Sequence, residues 1–244
     1  MRPLFRGFPL WWLLAAGASA SAAAPTATPE LRAFRAEYEV RQNGDALGRG
    51  TVTLRATGDG RWEYASHTRG TEGLAGLAGA EIVERSTLRR HEQRLETLSY
   101  SFRQEIGWKE RERSIEVDET AQRIVSRDRD REHVFAFEHG VLDRHAVVLA
   151  LTEDLAAGRR DGLRYTVADR DELGPQQFRV IGEDTITTEA GRLRTLKVER
   201  VRSGKPGRMT TSWHGIEQSF LPVRVLQREP DGDTFEMRLI SLER

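Results

Sequence analysis

The stretch "FRAEYEVRQNGDALGRGTVTL", Phe34 to Leu54, decides the fold. Phe34, Ala36, Tyr38 and Val40 alternate with Arg35, Glu37, Glu39 and Arg41. A period of two gives one apolar and one ionic face, because successive side chains on a strand point to opposite sides of the sheet. Asn43-Gly44 supplies the positive φ that a tight hairpin needs, and "TVTL" carries the alternation back. Gly48 and Gly50, early in the returning strand, point to a bulge or a close backbone approach.

The pattern recurs outward from this hairpin. "RWEYASH", "IVERSTLRR", "ETLSYSFRQEI", "ERERSIEVDE", "QRIVSR" and "EHVFAFEH" read as strands before residue 140. "LRYTVADR", "QQFRVIGED", "LRTLKVERVR", "RMTTSWHG", "LPVRVLQRE" and "DTFEMRLISLER" follow, joined by Gly-, Pro- or Asp-rich turns. "GTEGLAGLAGAE" breaks the alternation, and its glycines argue against a long helix there. One segment, "DRHAVVLALTEDLAAG", reads as a central helix over about 143–157, with Asp143 as N-cap and Gly158 as the stop. Its first half is apolar all round, which predicts burial on more than one side. The expected fold is all-β and mainly antiparallel: a single large curved sheet, incomplete barrel or sandwich around one helix.

Residues 1–22 have the make-up of a secretory signal peptide. Arg2 and Arg6 precede "FPLWWLLAAGA", and small residues with an A-x-A site follow. Residues 23–33 then form a linker, and 34–244 a single β-rich domain. The expected address is the periplasm. The chain has no cysteine, so it carries no disulfide, no lipidated cysteine and no thiolate metal site. No apolar run beyond the signal is long enough for an integral membrane segment. The net charge of zero supplies no footprint for nucleic acid.

Chemistry is harder to find. The G-x-S-x-G and H-E-x-x-H patterns are absent, and no catalytic residue or cofactor is assigned. His139, Asp143 and His145 in "HGVLDRH" offer zinc-type donors, but Asp143 is better employed as a helix cap, so no metal is assigned either. Aromatic side chains are more suggestive. Trp62, Tyr64, Trp108, Phe135, Phe137 and Trp213, with Val147 and Leu151 of the helix, are candidates to line an apolar pocket between sheet and helix.

"GRLRTLKVERV", "TTSWHG" and "FLPVRVLQREPDG", together with the opening hairpin and the central helix, resemble an exported bacterial family catalogued as domain of unknown function 3108. The resemblance spans roughly Phe34 to Leu242, with Phe220 where relatives tend to have a Tyr before Leu-Pro. It implies a fold and an exported protein, and brings no catalytic residues. Three function classes follow. A carrier of an apolar, lipid-like ligand would have a cavity under the helix. An envelope interaction or assembly factor, contacting another envelope protein, would have an exposed apolar patch or an unpaired sheet edge. A hydrolase would have a buried polar cluster with shifted ionisation. The carrier is the leading expectation.

Overall fold

The structure, a computed structural model, describes residues 31–201 and 207–244; the signal-peptide assignment lies outside them. Fifteen strands among these residues form one open sheet. The chain first runs a meander: β1 (Phe34–Gln42), β2 (Asp45–Gly58), β3 (Arg61–Gly70), β4 (Glu81–His91), β5 (Arg94–Ile106), β6 (Lys109–Asp118), β7 (Arg123–Asp128) and β8 (Arg131–Ala136). It then crosses to the opposite edge and meanders back: β9 (Leu142–Asp143), β10 (Arg164–Asp169), β11 (Glu172–Thr188), β12 (Gly191–Val201), β13 (Met209–Gly215), β14 (Pro222–Arg228) and β15 (Thr234–Glu243). β15 pairs antiparallel with β1, so the two meanders share one sheet whose outer strands are β8 and β9. All pairs are antiparallel except β9 with β10. Curvature brings the two halves together within the sheet, since the Thr97 amide of β5 donates to the Val141 carbonyl beside β9, 2.9 Å away.

The opening stretch does what its pattern predicts. Phe34, Ala36, Tyr38 and Val40 are buried, and Asn43 and Gly44 hold φ of 51° and 92° in the first turn. The register slips between Val40 and Arg41, and a Cβ on Gly48 would collide with the Arg69 carbonyl. β2 and β3 can approach there only because residue 48 has no side chain.

The glycine-rich break forms a short helix, α1 (Gly73–Leu77). The second helix, α2 (Val147–Ala156), begins four residues later than the sequence suggests. Asp143 is the last residue of β9 and Ala146 is the N-cap, because pairing with β10 keeps 142–143 extended. The Asp143 carboxylate nevertheless accepts from the His145 and Ala146 amides at 2.8 Å each, so it caps the turn leading into the helix. Gly158 stops it, at φ 84°.

α2 fills the concave side of the sheet. Val147, Leu149 and Ala150 pack with Tyr38, Leu54, Tyr64, Leu88, Trp213 and Val223, residues from both meanders. Leu151 and Leu155 pack on Leu163, Leu196 and Val198. A smaller cluster, Tyr100, Phe102, Ile115, Ile124, Val141 and Ala168, closes the region where β5–β7 face β10. Leu149 is 3% exposed, a burial that stabilises by about 2–3 kcal/mol.

Candidate functional site

Three features stand out once the helix is in place: a buried polar knot at its entry, a histidine–carboxylate group beside it, and an apolar tip at the margin of the sheet.

The knot begins in β5. Between Thr87 and Leu88 of β4 the pairing shifts past Leu98, and this bulge leaves Leu95, Glu96 and Thr97 buried in succession. Asp143 is completely buried against them. Its Oδ1 accepts from the Ser86 hydroxyl at 3.0 Å as well as from the two amides, and its Oδ2 accepts from the Thr97 hydroxyl at 2.8 Å. The Thr97 oxygen in turn accepts from the Asp143 amide at 2.9 Å. Burial pushes the Asp143 carboxyl up from its ordinary value, against these hydrogen bonds, which hold it down.

Ser86 also lies 3.0 Å from Nδ1 of His145. The serine proton is given to Asp143, so Nδ1 carries the imidazole proton and donates to Ser86, while Nε2 is buried without a partner. His145 stacks on Tyr64 at 4.3 Å, and burial lowers its pKa. Tyr100 donates to Glu84 at 2.6 Å nearby. Serine, histidine and aspartate meet here, but not in a relay: the carboxylate holds the hydroxyl and main-chain amides rather than the imidazole, and the serine is fully buried. The arrangement fixes the β9-to-α2 turn.

His139, in the crossover after β8, does not join Asp143 and His145. It faces Glu96 instead, with Nδ1 3.2 Å from Oε2. Its ring stacks on His91 at 3.8 Å, with Phe137 edge-on at 4.8 Å. Sequence reasoning named His139, Asp143 and His145 but missed the residues they meet, Ser86, Thr97, His91 and Glu96. The signal was present in "RLETLSY", where Glu-Thr interrupts an otherwise apolar–polar alternation.

The candidate pocket residues fall in three clusters and one exposed turn. Tyr64, Trp213 and Val147 are in the main core with Trp62 against it, Leu151 is in the cluster under the far half of α2, and Phe135 and Phe137 pack on the small cluster. Trp108 is 93% exposed, at the two-residue turn between β5 and β6. Alternation alone cannot tell a hairpin tip from a strand. An open concavity of about 430 Å³ lies elsewhere, lined by Ala190, Glu217, Gln218, Leu239, Leu242 and Arg244.

The tip is assembled by the backbone. The Gly70 amide donates to the Ala80 carbonyl at 2.7 Å, closing the α1 loop on the end of β3. The Gly107 amide then donates to Ala78 at 2.8 Å, tying that loop to the β5–β6 turn. Leu77 (87% exposed), Ile106 (43%) and Trp108 thus share one end of the sheet. Isolated exposed apolar residues are ordinary, but three large ones brought to one place are not.

No helix among the described residues is long and apolar enough to cross a membrane. No curated protein matches the chain. Among solved structures, a β-barrel-like protein of the domain of unknown function DUF1849 from Brucella abortus is similar at TM-score 0.55 and 11% identity, over 87% of this chain and 98% of that one. That likeness is one of fold. A putative lipoprotein from Parabacteroides distasonis aligns at TM-score 0.35 and 9% identity, over 88% and 97%. MucB, seen also in a Pseudomonas aeruginosa MucA/MucB complex, aligns at 0.31 and 10%, over 86% of this chain and about half of that one. Residues 37–240 match the family described as protein of unknown function (DUF3108), and the chain belongs to that family.

Proposed function

We propose that this chain is an exported, non-catalytic binding module of the cell envelope, which engages an apolar, lipid-like ligand through its exposed tip. The observation that carries the reading is the convergence of Leu77, Ile106 and Trp108 at one end of the sheet. Tryptophan suits the boundary between water and acyl chains, having an apolar body and one N–H donor. The interior supports the same reading, because α2 occupies the concave face where an enclosed ligand would sit. The absence of chemistry is part of the proposal. It is supported by Ser86, Asp143 and His145 being committed to one another and to the backbone.

Flotation with neutral phospholipid vesicles tests it. Wild type should float with the vesicles and Trp108→Ala should stay behind; equal behaviour of the two would sink the lipid reading. Export is tested by sequencing the N-terminus of protein recovered from the periplasm, where an intact Met1 would contradict it. A second reading, contact with an envelope protein, is favoured by the outer edge of β8, which among the described residues pairs only with β7 and exposes Val134. A Val134→Lys variant that loses an envelope complex while floating normally would select it.

A further inference from the structure

His91, Glu96 and His139 offer ligand atoms that all lie within 4.8 Å of one another. They come from three separate places: the end of β4, the buried bulged segment of β5, and the crossover from β8 to β9. We infer that these three side chains form a zinc site that clamps the crossover onto the β4–β5 hairpin. The site is independent of the lipid reading.

The donor set is what carries this. Two imidazoles and one carboxylate suit a borderline cation such as Zn²⁺, whereas calcium and magnesium call for oxygen ligands throughout. Glu96 is the fixed member. It is 3% exposed, and its Oε2 accepts the Gly140 amide at 3.0 Å while its Oε1 accepts from Arg89 Nε at 2.7 Å. Such outer hydrogen bonds hold a ligating carboxylate in place. Arg89 also pairs with Glu119, so its charge is shared between two carboxylates. His139 is the exposed member, with its side chain 48% exposed. Two parallel rings cannot both aim in-plane lone pairs at one ion, so His139 must turn out of its stack on His91 for the ion to enter. Its exposure leaves room for that rotation.

Isothermal titration of the metal-stripped full chain with zinc chloride at neutral pH, with calcium chloride for comparison, tests the site. One equivalent of Zn²⁺ should bind and raise the melting temperature, and calcium should do neither. His91→Ala and His139→Ala should each weaken binding by about tenfold or more, while His67→Ala, on β3 and paired with Glu81 outside the group, leaves it unchanged. Zinc binding that is absent in wild type, is untouched by both substitutions, or is lost only with His67→Ala would overturn the site. Should either variant fail to fold, imidazole NMR signals of wild type decide. Those of His91 and His139 should shift on adding zinc; movement confined to other histidines would overturn the assignment.

Discussion

The entry to α2 and the tip at Trp108 are opposites built from the same sheet. At the helix entry, every donor around Asp143 has been matched, and apolar side chains from both meanders close over the result. At the tip, backbone hydrogen bonds hold the α1 loop and the β5–β6 turn together, yet Leu77 and Trp108 face solvent. The first region spends its residues on stability. The second gains little stability from its exposed apolar side chains, and under the proposed reading they serve contact with a ligand. The contrast makes the stability of variants a measure of which region a residue serves.

The largest effect should come from Asp143→Ala. It strands the Ser86 and Thr97 hydroxyls and the His145 and Ala146 amides in a buried place, at a cost of about 4–5 kcal/mol in urea unfolding. A loss below about 1 kcal/mol would mean that water already reaches the knot. Leu149→Ala should follow, at about 3 kcal/mol, through the cavity left between α2 and the sheet. A much smaller loss would turn the helix from a plug into a lid.

A pH series sharpens the comparison further. Burial lowers His214 to about 4, with its Nδ1 2.8 Å from the Phe220 carbonyl. The unfolded chain therefore takes up this proton first. The stabilising contribution is complete above about pH 6.5 and is lost as the pH falls through about 4, at most about 3 kcal/mol. His214→Gln should flatten the slope of unfolding free energy between those limits, and an unchanged slope would count against a neutral buried imidazole. The smallest effect is Trp108→Ala, which should move stability by no more than about 0.5 kcal/mol. A larger loss would make the tip a structural element.

Much of this architecture is legible in the chain. The alternation of Phe34 to Val40, the Asn43-Gly44 turn and the all-round apolar run from Ala146 to Leu151 state the sheet, its first hairpin and the buried helix in local terms. What escapes is non-local. Asp143 reads as a helix cap because nothing near it in sequence reveals the parallel pairing of β9 with β10. Glu96 and Thr97 lie in a segment that reads only as a strand, and nothing local reveals the bulge at Leu98 and the returning crossover that bury both. His91 and His139 stand 48 positions apart and meet because the crossover after β8 returns over the β4–β5 hairpin. Trp108 reads as pocket lining because an aromatic at a hairpin turn looks like one in a strand, although Gly107 beside it was a turn signal.

Amide hydrogen exchange with and without phospholipid vesicles tests the central claim, a fixed plug with a contacting tip, most directly. The account predicts that α2, residues 147–156, exchanges only with global unfolding and is equally slow in both conditions, while residues 71–80 and 105–110 gain protection when vesicles are present. Fast exchange in α2 that slows on adding lipid, with the tip unchanged, would contradict it and make the helix the moving part.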